Sequence, residues 1–422
     1  MPLAAPSRWF LTAALVHLAA VAILLILGSR DQALNGGWDG LVWLLLIGFV
    51  GFTTIGFALH LFPSLSRRLS SVGRFEMTLF PLAEAAVILG TWTLGWREIG
   101  GLPKWTLAIG PGLYVLVGAL SLYRFARMME SPRVPSGGPA PRPGDAVTVP
   151  LFLSAFVAAP VAGAFFLASA FSHGPGFGWW LAGVHLFVLG YVVVLIVAVI
   201  LRLLPRLFTA DPPRRFAYGL AGLGVLGAVA VPVGMLVSTP SAPVLLEGLA
   251  FPEAALAVGL VILIPYLGWK ARTPRRQVLL YLASASFFAV GGAIGLYMVS
   301  QMNYAWVDTH AFVGALGFVG LMIMLMWFGM IAPFQRISHA WTTRMLWVLS
   351  AVWIAMVVAF IRLGPGSSTA SAGWLAALGG LMLAVSIAWA LGTLPVLYLD
   401  LNPLPGLPSE RIQKIRDRWG HP

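Results

Sequence analysis

Apolar residues along this chain fall into twelve blocks of roughly 20 residues, separated by short stretches that hold most polar and charged residues. A helix of that length crosses a hydrocarbon layer ~30 Å thick. The pattern therefore predicts an all-α, polytopic membrane protein. The predicted spans are residues 9–28, 39–63, 78–96, 105–127, 150–171, 179–204, 216–237, 245–268, 278–300, 306–332, 342–362 and 372–398.

The connections between these spans are short and rich in glycine and proline, with one exception. Residues 128–149 contain a Pro-Ser-Gly-Gly-Pro-Ala-Pro run, which predicts a flexible linker. We otherwise expect a single transmembrane domain over residues 1–422. Residues 408–422 form a basic tail. The sequence is compatible with a short interfacial helix there and equally with a solvated segment.

The basic residues predict the orientation of the spans. Of the 26 Lys and Arg residues, 22 lie on the side of the N-terminus, and the other four are Arg30, Arg97, Lys104 and Arg362. Because Lys and Arg are retained in cytoplasmic loops, both termini are predicted to be cytoplasmic, in the cell's inner (cytoplasmic) membrane. We therefore interpret the net charge of +12 as a signal of membrane topology. The expected partner is the lipid bilayer, and binding to nucleic acid is not expected.

Composition excludes several kinds of site. The chain is 59% hydrophobic and 9% charged, and it has no cysteine. The absence of cysteine excludes disulfides, Cys-ligated zinc, iron–sulfur clusters and thiolate-ligated heme. There is no Walker A, GxSxG, HExxH or CxxCH motif, so any heme would be non-covalent and b-type.

The second, sixth and tenth spans share a pattern. Each ends in a proline near a basic residue, and Pro63, Pro205 and Pro333 are separated by 142 and 128 residues. The second span contains Gly48-Phe-Val-Gly51, and the tenth contains Gly317-Phe-Val-Gly320. This predicts three four-helix pseudo-repeats, at about residues 1–135, 150–270 and 275–400. A shared bias toward Gly and Leu is the alternative explanation.

Together these features resemble the heme–copper oxidase subunit I superfamily, as a short, divergent member. The motifs are Gly51-Phe52 through His60-x-x-Pro63, His185 with Arg202-x-x-Pro205, and His310 with Gly314. The sixth span also resembles NnrS-like proteins of the nitrosative-stress response. The resemblance covers most of the chain by topology, but specific motifs cover only three spans.

This resemblance implies b-type heme, with copper as a further metal. It also implies a respiratory, electron-transfer or nitric-oxide-related sensing or protective role. The implied partners are a small gaseous ligand and the subunits of a respiratory complex. The sequence departs from the superfamily at four places. Residues 39–43 lack a heme-ligating histidine, the tenth span has only His310 where two histidines are expected, residues 216–237 lack a histidine pair, and Leu189 replaces a tyrosine. Turnover as a full oxygen reductase is therefore not expected, and no catalytic residue is assigned.

Four of the seven histidines lie within predicted spans. His185 and His310 lie at matching depth near the outer ends of their spans, as ligands of one metal site or of neighbouring sites would. Neutral imidazole binds iron, copper and zinc, so both are predicted metal and cofactor ligands. His60 and His17 are further cofactor-binding candidates. The alternative is a set of hydrogen-bonded interior histidines.

Two acidic residues, Glu84 and Glu253, lie well inside spans and are candidates for proton relay. Hydrogen bonding to carbonyls freed by neighbouring prolines is the alternative for both. Met322, Met326 and Met330 repeat every four residues; thioethers bind Cu(I), but such a stripe is more commonly packing.

Two other functional classes stay open at the level of sequence. A transporter or channel without cofactor also commonly has twelve helices. A metal-free structural subunit of a larger membrane complex would explain the missing histidines. Enzymatic activity is undecided, and any reaction would be of the oxidoreductase type.

Overall fold

A computed structural model describes most of the chain. It covers residues 5–28, 38–66, 74–95, 103–130, 142–172, 177–237, 243–271, 275–301, 303–328, 339–363 and 372–399. Within these ranges the regular elements are all helical. The basic tail at 408–422 and residues 131–141 of the predicted linker lie outside the described residues.

Twelve helices follow one another along the described chain, close to the predicted spans. Because hydrocarbon offers backbone groups no hydrogen-bond partner, long apolar segments satisfy them internally as helices. The helices are α1 (Ala5–Gly28), α2 (38–66), α3 (Arg74–Gly95), α4 (Ile109–Glu130), α5 (Asp145–Phe171), α6 (177–207), α7 (Arg214–Val237), α8 (Pro243–Ala271), α9 (Arg275–Ser300), α10 (307–326), α11 (His339–Leu363) and α12 (Ala372–Leu399).

Eleven of these helices are long and apolar enough, in their described residues, to cross a membrane. In α11 the corresponding apolar stretch is shorter, Arg344–Ala359. The chain is therefore a multi-pass membrane protein in contact with the lipid bilayer.

Three helices, α2, α6 and α10, lie at the centre of the bundle. Their apolar windows are 89%, 83% and 83% buried within the protein, against 33–56% for the other eight spans. The remaining helices pack around them in chain order, and α12 closes the ring by packing against α1. A residue on α2, α6 or α10 is therefore much more often interior than lipid-facing.

Each central helix contains two turns of π-helix. These π segments are Leu44–Gly51, Leu186–Val193 and Val313–Gly320, and they contact one another at the bundle centre. A π-helix widens the helical turn and frees carbonyl groups from the regular bonding pattern. Nearby side chains bond to some of these carbonyls: Thr53 Oγ1 donates to Phe49 O at 2.7 Å, and Trp353 Nε1 donates to Leu316 O at 2.7 Å.

The predicted start of α5 is wrong, and the error lies where ion pairs join α5 to α6. The sequence pattern predicts linker at residues 145–149, but α5 begins at Asp145. The Asp145 carboxylate bonds to Arg202 Nη1 at 2.9 Å and to Arg206 Nη2 at 2.8 Å, both on α6. These tertiary contacts extend α5 by one turn. The linker is also shortened at its other end, since α4 continues to Glu130.

The contact between α3 and α4 gives the first testable prediction. A Cβ at Gly110 would lie 2.3 Å from Gly90 Cα, so the two backbones touch. Gly110→Ala forces the helices apart and is expected to lower the free energy of unfolding by about 1–3 kcal/mol. Gly112 on the same helix has nothing within 4 Å of such a Cβ. Gly112→Ala is the matched control, and it should be neutral or slightly stabilising. Unfolding in mixed detergent micelles measures both, and equal stabilities would contradict the prediction.

Candidate metal site between the sixth and tenth helices

The structure brings His185 of α6 and His310 of α10 into contact. Their ring centroids are 5.9 Å apart and their planes differ by 17°, so the imidazoles are stacked. Both side chains are half-buried. His185 is the last residue before the π segment of α6, and His310 lies three residues before that of α10.

Each imidazole is oriented by one backbone carbonyl. His185 Nδ1 lies 2.9 Å from Leu181 O, and His310 Nδ1 lies 2.8 Å from Gly291 O on α9. A carbonyl oxygen only accepts hydrogen bonds, so Nδ1 is the donor in both rings. In the neutral imidazole this leaves the lone pair on Nε2. An Nδ1–H bonded to a carbonyl is the usual arrangement for a histidine that binds metal through Nε2.

Glycines of α9 make room for the His310 ring. A Cβ at Gly295 would lie 3.0 Å from His310 Cε1, so any larger residue would displace the imidazole. Gly291, which supplies the carbonyl acceptor, lies one turn earlier on the same face. The sequence pattern did not single out these two residues, although their Gly-x-x-x-Gly spacing is a known signal of close helix approach.

The glycines beneath His310 on α10 have different surroundings. A Cβ at Gly314 would meet nothing within 4 Å, so there is open space one turn inward of His310. At Gly317 a Cβ would lie 2.9 Å from the Phe287 side chain, so this second position is filled by helix packing. The open space on this face of α10 therefore extends from His310 over about one helical turn.

The two imidazoles are nearly parallel at a centroid separation of 5.9 Å, and both are candidate ligands of a metal ion or a heme iron. Among the described residues there is no group of three or more His, Cys, Asp or Glu side chains that could hold a metal. The described part therefore offers two imidazoles at this place, and any further ligands would come from water or another bound molecule.

The N-terminal part of α2 contains an aromatic cluster. Trp43 is fully buried, donates from Nε1 to Ala86 O at 3.1 Å, and packs against Tyr114, Phe166 and Trp180. The superfamily resemblance implies a heme ligand near this level of the second span. Indole and phenyl rings occupy the interior there instead.

The two other candidate histidines lie in the first two helices. His17 on α1 forms a hydrogen bond with Glu84 on α3, at 3.1 Å from Nε2 to Oε2. Both residues were candidates on sequence grounds, but nothing in the sequence paired them. His60 lies in α2, and its side chain is outside the described part of the structure.

The remaining candidates are dispersed. Glu253 on α8 is half-buried and packs against Gly227 of α7, where a Cβ would lie 3.2 Å from the Glu253 backbone nitrogen. Met322 and Met326 are buried, and the Met330 side chain is not described. Met322 is twelve residues from His310, or about 18 Å along a helix, so the methionines and His310 cannot bind one ion.

Comparison with known proteins supports the fold. No protein-family model and no curated protein matches the chain. A solved structure does, described as a cryo-EM structure of a heme-copper terminal oxidase dimer, with a TM-score of 0.61 over 96% of this chain and 85% of that one. The chain has a heme–copper oxidase-like fold. Sequence identity is 12%, so the similarity is one of fold alone.

This heme–copper oxidase-like fold confirms the predicted superfamily resemblance at the level of architecture. The resemblance to NnrS-like proteins and the ligand roles of His185, His310, His60 and His17 stay predictions. The proton-relay roles of Glu84 and Glu253 also stay predictions.

Proposed function

We propose that this protein is a membrane metalloprotein with a heme–copper oxidase-like fold that binds a metal ion through His185 and His310. The observation that carries the proposal is the stacked pair of imidazoles, each with Nδ1 bonded to a carbonyl and Nε2 left for a ligand.

The proposed role is electron transfer, or the sensing or scavenging of a small gaseous ligand such as nitric oxide. The metal, either copper or the iron of a b-type heme on His310, supplies redox chemistry and a position for a gaseous ligand. The chain supplies the imidazoles, the carbonyls that orient them, and the open space beside Gly314.

Full oxygen reduction is not part of the proposal. Helix α7 (Arg214–Val237) contains no histidine, and Leu189 occupies the position one turn after His185. The described residues therefore lack the histidine pair and the tyrosine that the superfamily resemblance would require.

Metal analysis and visible spectroscopy of the purified protein test the proposal. The protein is produced with heme and copper supplied, and we expect about one redox metal per chain or a Soret band. His173→Gln is the matched control, because it removes a histidine outside the predicted spans and should retain the metal. Protein that folds but carries neither copper nor heme would contradict the proposal.

A metal-free structural subunit of a respiratory complex is the second candidate. The heme–copper oxidase-like fold favours it over a cofactor-free transporter. Stoichiometric partner subunits in the purified sample, together with the absence of metal, would support this alternative.

The predicted topology places both termini in the cytoplasm of the cell and the protein in its inner membrane. The asymmetry of Lys and Arg supports this orientation. We expect a periplasm-active reporter fused after residue 100 to be active and one fused after residue 138 to be inactive. The reverse result would overturn the orientation.

Three four-helix pseudo-repeats are the proposed origin of this architecture. Gly48, Gly190 and Gly317 occupy the same position within the three π segments, each the fifth residue. The proline spacing of 142 and 128 residues matches the spacing of these segments closely. Superposition of residues 1–135, 150–270 and 275–400 in an experimental structure tests the proposal, and unrelated helix arrangements would contradict it.

A further inference from the structure

We infer that His17 and Glu84 form a proton-binding pair at the lipid-facing side of α1 and α3. The pair is separate from the His185–His310 site and does not depend on a metal there. Its Glu84 carboxyl is accessible to lipid-soluble reagents. Three observations support the inference: the geometry of the pair, a ring nitrogen without a described partner and the partial exposure of the Glu84 side chain.

The pair joins two helices through one hydrogen bond. His17 Nε2 lies 3.1 Å from Glu84 Oε2, and the side chains are 9% and 22% exposed. The imidazole is held by Gly48 of α2, where a Cβ would lie 3.0 Å from His17 Cγ, and by the edge of the Phe52 ring. His17 is thus positioned to exchange a proton with this carboxyl.

The other ring nitrogen has no described partner. His17 Nδ1 is buried and forms no hydrogen bond within the described structure. A purely structural histidine would normally satisfy both nitrogens, because an unsatisfied buried polar atom costs about 1–3 kcal/mol. The single polar contact of His17 within the described residues is therefore the one to Glu84.

Exposed apolar residues surround the carboxyl on its open side. Met77, Ile88 and Trp92 of α3 are exposed, at 49–61%, and Val16 of α1 is 60% exposed beside His17. Their spacing on α3 places Glu84 at the edge of the lipid-facing stripe. The exposed part of the Glu84 side chain therefore faces acyl chains, and a lipid-soluble molecule reaches it more readily than a water-soluble one.

Charge balance indicates that the pair binds a proton. Ionised Glu84 beside a neutral imidazole leaves a net negative charge in an apolar surrounding, which is costly. One added proton, on either partner, makes the pair neutral.

The other described charged groups on the packed helices lie near helix ends. They are Arg8 of α1, Asp39 of α2, Glu76 of α3 with its ion-pair partner Arg124 of α4, and the α4 residues Arg127 and Glu130. Residues 376–393 of α12, which packs on α1, carry no charge.

A carbodiimide distinguishes this pair from a static hydrogen bond. Its nitrogen takes the proton of a neutral carboxyl, and the carboxylate oxygen then bonds to its central carbon; the adduct rearranges to a stable N-acylurea without a leaving group. We expect lipid-soluble dicyclohexylcarbodiimide to label Glu84 in the full-length protein, as located by peptide mass spectrometry. Labelling should be lost in Glu84→Gln, and a water-soluble carbodiimide should not label this residue.

His17→Gln tests whether the proton is shared. Glutamine retains a hydrogen bond to Glu84 but cannot take its proton, so the proton stays on the carboxyl, the form that a carbodiimide attacks. Labelling should therefore rise above the wild-type level. Glu253, which lies on a different pair of helices, provides the internal reference and should be labelled equally in both proteins.

Three results would overturn the inference. They are an unlabelled Glu84 in the folded protein, Glu84 labelling that is equal in the wild type and in His17→Gln, or labelling only by the water-soluble reagent. Size-exclusion elution of the variants verifies folding. Metal content is measured on the same samples, so failure of the metal proposal is seen separately.

Discussion

His310→Ala is expected to lower the affinity for the bound metal by at least about 100-fold, since loss of outer partners alone lowers metal affinity roughly 10- to 100-fold. The variant removes one Nε2 ligand and leaves His185 facing the space it occupied. If a heme is bound through His310, its absorption bands should be lost or shifted. Metal content per chain and the visible spectrum, measured after equal dialysis, provide the readout.

The neighbouring glycines give a graded test of the same site. Gly295→Ala places a Cβ 3.0 Å from His310 Cε1, so it moves the ring without removing the ligand. We expect metal affinity to fall by about tenfold. Gly292→Ala, on the same helix with nothing within 4 Å of its Cβ, is the matched control and should bind normally.

The pattern across these variants separates ligand loss from loss of folding. A folded His310→Ala protein that retains wild-type metal and spectrum would show that His310 is not a ligand. His185→Ala should behave like His310→Ala if both residues bind one ion. If only one of the two variants loses metal, the single-ion arrangement is wrong.

The second large effect, a loss of stability, is expected at the N-terminal end of α5. Asp145→Ala removes the carboxylate that bonds to both Arg202 and Arg206, at 2.9 and 2.8 Å. The three side chains are only 8–14% exposed, so two guanidinium groups would remain in a poorly hydrated site without it. Breaking a buried pair in this way typically costs about 3–5 kcal/mol, and we expect a loss of stability of that size.

Unfolding in mixed detergent micelles measures this loss. The matched control is Glu130→Ala, which removes the Arg127–Glu130 pair, whose side chains are 56% and 63% exposed. An exposed pair contributes at most about 1 kcal/mol, so the control should unfold almost as the wild type does. Equal stabilities of Asp145→Ala and Glu130→Ala would show that the α5–α6 contact does not depend on Asp145.

The sequence determined the number and limits of the helices, because the requirement for an apolar run of about 20 residues is local. Each helix boundary follows from nearby composition, and the observed limits lie within a few residues of those predicted. The sequence also indicated that His185 and His310 have matching depth, since depth can be counted along a single helix. The main error in the boundaries, the start of α5, arose where Asp145 bonds to Arg202 and Arg206, far along the chain.

Tertiary structure decided which side chains meet. The sequence selected His17 and Glu84 separately, but only the packing of α1 against α3 joins them across 67 positions. The sequence pattern did not predict the π segments within α2, α6 and α10. It also did not predict the contacts of Gly291 and Gly295 of α9 with His310. The physical reason is that hydrophobicity acts along one helix, whereas hydrogen bonds and ring contacts between helices depend on their rotation and separation, which the whole bundle fixes together.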